Sequence, residues 1–419
     1  KVGYYTGNGS ASGPIVQTGF EPAMVIFKRT NGVTSWRILD NKRFSGSNKS
    51  ALIPNGNYAE QVGYIDVSFY ANGFSINSNN TDFNASGGNY IYLAFAADGS
   101  TATPSLANSF ATEIYTGNSG TQSITTGFKP DFSWIKARNY AYNHSLVDSV
   151  RGRNSTLISD LDIAANPNSG VDKDLISFDT NGITVGPVNQ AYINPNYNMV
   201  SWNWKAGGTP SINTDGTITS VVSANQAAGF SIVSYTGNNT NNATVGTGLT
   251  VACDLVIVKD LTSSNYWCVG GSTVGNGENL YLNDTGAKLT RDRVKSVQSN
   301  TFTLGNHGET NSTNNFIAYC FTSISGYSKV GTYSGTGAAQ TITTGFQPGF
   351  LMVKATSHTS SWYIVDSART PNYFLSPNSS AAEYTDSGKI TFTSNGFTLG
   401  STSYNNSGYT WIYLAIKEN

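Results

Sequence analysis

The chain has 419 residues, of which 12% are charged, and its 24 Lys and Arg against 25 Asp and Glu leave a net charge of −1. So neutral a chain has no positive field for a phosphate backbone or an anionic bilayer, which excludes general nucleic-acid binding and polybasic membrane attachment. Aromatic residues reach 12% and glycine is abundant, a mixture that indicates a folded, β-rich protein, because disordered chains lack aromatic residues.

The chain opens with a motif that returns three times. It consists of Tyr-x-Gly, then Thr-Gly, then an apolar run that ends in lysine. Its tyrosines are Tyr5, Tyr115, Tyr235 and Tyr333, and its lysines are Lys28, Lys136, Lys259 and Lys354. A repeat of about 90–110 residues is too long for a propeller blade and suits a small domain. We therefore predict four modules, numbered 1 to 4, at residues 1–98, 108–207, 229–324 and 329–419.

Within each module, short runs of Val, Ile, Tyr, Phe and Trp alternate with clusters of Gly, Asn, Asp and Ser, as in short strands joined by turns. Asn-Gly pairs at 72–73, 181–182 and 395–396 precede alternating residues, which is a strong hairpin signal. About eight short strands per module predict an all-β fold of tandem antiparallel β-sandwiches, of the jelly-roll or lectin-like kind.

The segments between modules differ. Residues 97–108 and 207–225 are rich in Gly, Pro, Ser and Thr, which predicts extended linkers, whereas the short segment 326–331 predicts that modules 3 and 4 pack together. Modules 1 and 4 share their closing strands and the opening Lys-Val-Gly at 1–3 and 329–331. From this repetition we expect a longer array with a further module upstream.

Histidine offers little for catalysis. The three histidines, His144, His307 and His358, lie in three different modules. A Ser–His–Asp set could form only around His144 and Asp148, and no nucleophile-elbow motif accompanies it. No His/Cys spacing of a metal site is present. We expect no catalytic residues, no metal and no cofactor.

Paired carboxylates are the serious enzymatic alternative, because β-sandwiches host glycosidases. The nearest pairs are Asp160 with Asp162 and Asp172 with Asp174. The stretch around them is rich in Asn, Ser and Gly and indicates a loop, which could also supply oxygen ligands to calcium, although no twelve-residue calcium loop is present. We interpret these acids as solvated surface residues.

An Asp-x-x-Arg pattern follows a strand in three modules, at Asp40/Arg43, Asp148/Arg151 and Asp366/Arg369. It could grip a ligand, or the aspartate could cap a turn and pair with the arginine. Its recurrence with the fold favours the structural role.

Three cysteines cannot form a disulfide framework for a chain of this length. We interpret Cys253, Cys268 and Cys320 as small buried residues, with a Cys253–Cys268 bridge as the alternative.

Tyrosine supplies the candidate binding residues. Predicted loops of module 2 carry Tyr140, Tyr142, Tyr192 and Tyr197, and Tyr58 and Tyr373 lie in loops of modules 1 and 4. Loop tyrosines among Ser, Asn and Gly are typical of surfaces that recognise proteins or sugars, since the ring gives contact area at low entropic cost. Such rings could equally fill crevices between modules, and both interpretations stay open.

Several motifs in order along the chain resemble one known family. Besides the repeated motif, they are residues 148–152 (Asp-Ser-Val-Arg-Gly), 202–207 (Trp-Asn-Trp-Lys-Ala-Gly), 229–237 and 326–329 (Gly-Tyr-Ser-Lys). They resemble a repeat family common in marine tailed phages, including those of cyanobacteria, whose members are labelled tail fibre or uncharacterised domain. The resemblance covers nearly the whole chain and departs from the family at Gly248-Leu249. It implies a virion structural protein and carries no catalytic or binding residues to transfer.

These observations predict an extracellular, virion-borne structural protein: a tail-fibre or adhesin segment that binds a host surface through many weak contacts. The expected partners are other virion proteins, further copies of the chain in a homo-oligomer, and a host-surface glycan or protein. Two alternatives stay open: a purely architectural capsid-decorating or tail-associated subunit, and a secreted glycan-binding or glycan-degrading protein. No run of about 18 apolar residues occurs, so we expect no membrane contact.

Overall fold

The structure is a computed structural model that describes residues 1–10, 14–43, 50–62, 67–70, 72–96, 106, 108–153, 155–165, 174–187, 193–369, 372–386, 389–400 and 402–418. The chain forms two compact units, unit 1 at residues 1–103 and unit 2 at residues 104–419. Unit 1 contains module 1, and unit 2 contains modules 2, 3 and 4. The all-β prediction is confirmed. No helix among the described residues is long and apolar enough to cross a membrane.

Module 1 is a two-layer sandwich. Its described elements are β1 (Val2–Thr6), β2 (Ile15–Gln17), β3 (Pro22–Arg29), β4 (Arg37–Asp40), β5 (Ser50–Ala51), β6 (Gln61–Val62), β7 (Val67–Tyr70), β8 (Gly73–Ile76), α1 (Thr81–Asn84) and β9 (Asn89–Ala96). A larger antiparallel sheet, in the order β1-β9-β3-β4, faces a smaller sheet in the order β2-β8-β7, and β5 pairs with β6.

Module 2 repeats this arrangement. Its described strands are β10 (Phe110–Thr116), β11 (Gln122–Thr125), β12 (Phe132–Ala137), β13 (Ser145–Asp148), β14 (Leu157–Ile158), β15 (Leu175–Asp179), β16 (Gly182–Val185) and β17 (Asn198–Trp204). The larger sheet has the order β10-β17-β12-β13-β14 and the smaller sheet the order β11-β16-β15.

Module 3 has the widest sheet. Its described elements are β18 (Ser211–Asn213), β19 (Ser220–Asn225), β20 (Phe230–Thr236), β21 (Ala243–Gly246), β22 (Leu255–Asp260), β23 (Cys268–Gly270), β24 (Glu278–Tyr281), β25 (Leu289–Thr290), β26 (Val294–Val297), β27 (Thr301–Leu304), α2 (Gly308–Asn311) and β28 (Asn315–Phe321). The larger sheet has the order β18-β19-β20-β28-β22-β23-β24-β25, and the smaller sheet has the order β21-β27-β26.

The extended linker predicted at 207–225 is wrong, because this segment forms the hairpin β18–β19 at the edge of that sheet. Buried Ser220 and Val222 hold the hairpin in place. The other predicted linker, 97–108, is described only at residues 106 and 108.

Module 4 closes the chain. Its described elements are β29 (Ser328–Ser334), β30 (Gln340–Thr343), β31 (Phe350–Ala355), β32 (Trp362–Asp366), β33 (Tyr373–Phe374), β34 (Tyr384–Thr385), β35 (Ile390–Thr393), β36 (Gly396–Leu399), a 3-10 segment (Thr402–Tyr404) and β37 (Thr410–Ile416). Its sheets have the orders β29-β37-β31-β32 and β30-β36-β35, and β33 pairs with β34.

The closing strands of modules 3 and 4 are apolar on both faces. In β28, Phe316, Ala318 and Cys320 point into the module's own core between its two sheets. The alternate residues of that strand, Ile317 and Tyr319 among them, point the other way into a second cluster. Since successive side chains of a strand point to opposite faces, each such strand contributes to two cores.

The second cluster is shared by modules 2, 3 and 4. The outer faces of their three larger sheets pack against one another, with Trp202 and Trp204 from module 2, Tyr319 from module 3, and Trp362 and Leu414 from module 4 all buried there. Unit 2 is therefore one body around a common core. Packing of modules 3 and 4 against each other is confirmed, and module 2 joins them.

The repeated Tyr-x-Gly motif closes each sandwich. The Tyr235 hydroxyl donates to the carbonyl of Thr310 (2.7 Å), and the Tyr333 hydroxyl donates to the carbonyl of Tyr404 (2.7 Å). The glycine two residues later lies against the backbone of the opposite loop: a Cβ at Gly335 would lie 1.9 Å from the Asn406 carbonyl oxygen. The motif is thus explained by loop packing.

Candidate functional site

His144, the histidine considered for a Ser–His–Asp set, is a packing element. His144 is fully buried, and its Nδ1 accepts a hydrogen bond from the Trp134 indole N–H (2.9 Å). Its Nε2 lies 3.0 Å from the carbonyl oxygen of Ser376 in module 4, so Nε2 carries the proton. Burial lowers the pKa of His144 well below its usual value. The ring is a neutral bridge between modules, with both nitrogens engaged.

Equivalent bridges join the other module pairs. The Trp267 indole of module 3 donates to the carbonyl of Ile158 in module 2 (2.9 Å), and the Trp362 indole of module 4 donates to the carbonyl of Tyr281 in module 3 (2.8 Å). Together with His144 they form a closed cycle of three hydrogen bonds, which we call the inter-module ring. Each donor lies at the start of the strand that follows the repeated lysine, and each acceptor occupies the same position in its module.

The Asp-x-x-Arg pattern belongs to the same joints. Asp148 pairs with Arg151 (2.6 Å), and its Oδ2 also accepts from the Tyr319 hydroxyl of module 3 (2.8 Å). Asp366 pairs with Arg369 (2.7 Å) and accepts from the Trp202 indole of module 2 (2.9 Å).

In module 3 the aspartate position is Gly271, and in module 4 the donor position is Leu414. Module 3 donates to the aspartate of module 2, and module 2 donates to the aspartate of module 4. The remaining pair is therefore Leu414 of module 4 with Gly271 of module 3, and this third joint has neither a donor nor an acceptor side chain. The structural interpretation of the pattern is the one that the contacts support, since the groups hold modules together.

The acids considered for catalysis have different surroundings where the structure describes them. Asp160 accepts from the His144 backbone N–H (3.0 Å), and burial raises its pKa to about 6, whereas Asp162 is exposed. Asp174 is buried, and burial raises its pKa too. The solvated-surface interpretation is therefore wrong for Asp174, which is buried, whereas Asp160 is partly buried. Asp172 lies outside the described residues.

The repeated lysines of unit 2 are fully buried. Lys136 donates to the carbonyl of Ala137 (2.6 Å), Lys354 to that of Ala355 (2.5 Å), and Lys259 to those of Asn265 (2.7 Å) and Asp162 (3.1 Å). Burial lowers the pKa of each to about 8. Each ammonium donates to backbone carbonyls at or beyond the end of its own strand, and Lys259 in addition bonds module 2 through Asp162.

The cysteines are free and buried in the core of module 3, as the small-residue interpretation predicts. A void of about 10 Å³ lies where the three larger sheets meet, among residues such as Phe132, Ile257 and Met352. It has room for one water molecule at most. Among the described residues, no three His, Cys, Asp or Glu side chains gather in a group that could hold a metal ion.

Three of the four predicted binding tyrosines come together at the surface of module 2. The rings of Tyr140 and Tyr197 stack with centroids 4.5 Å apart, and Tyr142 lies 4.7 Å from Tyr140 and 5.6 Å from Tyr197. Tyr140 is 46% exposed. We call these three residues the tyrosine cluster. Tyr192 lies outside the described residues.

Two further loop tyrosines have other surroundings. Tyr373 lies under the guanidinium of Arg138, 6.0 Å from the ring centre, and Arg138 also makes an ion pair with Glu383 of module 4 (2.9 Å). Tyr373 thus fills the crevice between modules 2 and 4. Tyr58 is exposed in module 1.

The tyrosine cluster is specific to module 2. Four residues after the repeated lysine, module 4 has His358, which stacks on Tyr409 at 3.7 Å, and module 3 has Ser263, which accepts from Asn314 (3.0 Å). A loop contact at this position is therefore common to unit 2. Only module 2 builds it from three tyrosines, of which Tyr140 is exposed while Tyr142 and Tyr197 also pack against the core of the module.

A family model for a domain of unknown function, DUF7483, matches residues 1–98 and 105–419. The chain belongs to the DUF7483 family. No curated protein matches it. Because the family description gives no activity, the function of this DUF7483 chain has to be argued from its own residues.

One important group escaped the sequence analysis. A buried asparagine in each module of this DUF7483 chain bonds the loop that follows the Tyr-x-Gly motif; the four are Asn84, Asn194, Asn311 and Asn405. Asn194, for example, accepts from the Asn118 backbone N–H (3.2 Å) and donates to the carbonyl of Gly120 (2.6 Å). Its sequence signal was a single Asn at the end of each variable loop, too weak to separate from the many surface asparagines.

Proposed function

We propose that this DUF7483 chain is a structural segment of a phage virion, a tail-fibre or adhesin part whose tyrosine cluster contacts the host surface. The virion assignment rests on the sequence resemblance. The structural role is supported by one observation above all: the buried polar and charged groups of the inter-module ring and of the Asp-x-x-Arg joints all bond across or within modules.

A binding role for the tyrosine cluster is supported by its exposure and composition. The exposed Tyr140 ring, with Tyr142 and Tyr197 beside it, offers apolar area with a hydroxyl group at its edge, the combination with which sugars and peptides are bound. The cluster occurs once in unit 2, so multivalent binding would come from several copies of the chain in one particle.

The test uses the double variant Tyr140→Ser and Tyr142→Ser, with Tyr58→Ser as a matched exposed control. Binding of the purified chains to intact marine cyanobacterial cells is measured by sedimentation of the cells with labelled protein. We expect saturable binding by the parent and by Tyr58→Ser, and a loss of at least about tenfold in the double variant, as for removal of an aromatic anchor. Equal binding by all three chains would contradict the role of the cluster.

The purely architectural subunit is the second candidate, favoured by the single occurrence of the cluster. It predicts no cell binding by any variant, together with retention of the chain on purified tails or capsids. Immunogold labelling of intact particles tests the virion assignment itself, and particles that lack the chain would overturn it.

A further inference from the structure

Module 1 carries the residues with which modules 2, 3 and 4 pack together, yet it leaves them at its surface. Along β9, Ile91 and Phe95 are 40% and 45% exposed, whereas their counterparts in module 4, Ile412 and Ile416, are buried in the shared core. Trp36 is 38% exposed and corresponds to Trp362, a donor of the inter-module ring. All six other tryptophans of the chain are buried.

The exposed tryptophan is held in the same local geometry as its buried counterpart. The Trp36 backbone N–H donates to Asn55 Oδ1 at 2.9 Å, and the Trp362 N–H donates to Asn378 Oδ1 at 2.9 Å. The strand beside it is also placed alike, because Leu52 bridges to Ile38 as Leu375 bridges to Ile364. Within the described residues the Trp36 indole N–H makes no hydrogen bond. Module 1 therefore has the indole donor that the inter-module ring uses, but no acceptor for it.

Module 1 also indicates which neighbours would fit. Its Asp40 pairs with Arg43 (2.6 Å), as Asp366 pairs with Arg369 in module 4, and among the described residues of unit 1 the Asp40 carboxylate accepts only from Lys42 and Arg43. At the position that faces a neighbouring aspartate, modules 1 and 4 both have leucine, Leu93 and Leu414.

The presence of both Asp40 and Leu93 in module 1 argues against a trimer made of three copies of module 1. In such a trimer each Asp40 would face a Leu93, and the Asp40–Arg43 ion pair would lose water without gaining a donor. Module 4 avoids that loss in unit 2. Its aspartate meets the Trp202 indole of module 2, and its leucine faces module 3, which has Gly271 in place of the aspartate.

We propose that the outer face of the larger sheet of module 1 docks two further sandwich modules, one of the kind of module 2 and one of the kind of module 3. The three close a second body with the architecture of unit 2. The module of the first kind supplies an indole donor to Asp40, and the module of the second kind supplies the carbonyl acceptor for Trp36. This docking holds whether or not the chain binds a host surface.

The experiment provides the two modules in the chain itself. Residues 104–328 are placed directly before Lys1 of the full chain, so that Ser328 precedes Lys1 as it normally precedes Lys329. Trp36 is then oxidised with N-bromosuccinimide, and the rate is followed by peptide mass spectrometry in the extended and the 419-residue chains. We expect oxidation of Trp36 to slow at least about tenfold in the extended chain, because buried groups react only on opening.

Two controls separate docking from other effects. Trp202→Leu in the added copy alone removes the donor to Asp40 and is expected to restore most of the fast oxidation of Trp36. Trp267 reports on folding of the added segment. The extended chain contains Trp267 twice, in two identical peptides, so unfolding of the added segment alone would be seen as rapid oxidation of half of this peptide. That result would overturn the proposal, since module 1 should complete the added pair.

Two other results would overturn it as well. One is equally fast oxidation of Trp36 in both chains. The other is a 419-residue chain that sediments as a trimer with Trp36 already protected, which would make copies of module 1 the true occupants.

Discussion

At the scale of single residues, the side chains of the repeated motifs form hydrogen bonds with the backbone and so fix the loops. The Thr-Gly pair shows this: the Thr126 hydroxyl donates to the Phe128 carbonyl (2.7 Å), while Gly127 has φ near +84°, a value that other residues rarely adopt. The sequence could reveal these positions because each recurs at a fixed place in the repeat. It could not reveal the partners, which are backbone carbonyls and carry no residue signature.

Buried lysine makes stability depend on pH. Burial lowers the pKa of Lys354 to about 8, below the value near 10.4 of an unfolded chain. Between these values the unfolded state binds more protons than the folded state, so the contribution of Lys354 to the free energy of unfolding increases as pH rises. Below about pH 8 both states hold the proton, and the full penalty of a buried charge remains.

The prediction is a difference between Lys354→Met and the parent. From pH 7 to pH 9.5 the parent gains roughly 1–2 kcal/mol over the variant, measured by urea unfolding at each pH. Comparing the two chains is necessary because burial raises the pKa of Cys268 and Cys320, which acts in the opposite direction in both. Parallel pH profiles for the two chains would contradict a buried, charged Lys354.

At the scale of elements, each sandwich is closed by contacts between loops. The strands were predictable, since β-branched and aromatic runs ending in Asn-Gly turns specify hairpins such as β15–β16 and β35–β36. The β18–β19 hairpin was not, because its residues are mostly small and polar and resemble a linker. It is held by burial against module 3, which a local pattern cannot show.

The loop asparagine gives the prediction at this scale. Asn194→Leu leaves the Asn118 N–H and the Gly120 carbonyl without their buried partner, and we expect a loss of about 1–3 kcal/mol in unfolding free energy. Asn196→Leu, two residues away and exposed, serves as the matched control and should change stability by less than about 0.5 kcal/mol. Chemical unfolding of the two variants measures both, and equal losses would refute the role of Asn194.

At the scale of the whole molecule, unit 2 is held together by a core that modules 2, 3 and 4 share. The sequence shows aromatic closing strands in every module, a pattern that predicts a core inside each sandwich. Whether the second face of such a strand meets solvent or another module depends on residues far away in sequence. The joint from Asp366 to Trp202, 164 residues apart, is one example.

The shared core also shapes the proposed function. In unit 2 the buried charged groups hold the three modules together, and the tyrosine cluster lies at a fixed position on the surface of this body. Where the chain occurs in several copies, the spacing of these clusters is set by the assembly, which favours avidity over single-site affinity.

The most direct test of the account is hydrogen exchange of the full chain with Trp202→Leu as the perturbation. Trp202 belongs to module 2, but its side chain lies in the shared core and bonds Asp366. We expect faster exchange in β17, β28 and β37 alike, in all three modules of unit 2, with exchange in β9 of unit 1 unchanged. Faster exchange confined to module 2 would show that the modules are independent, and it would contradict the account.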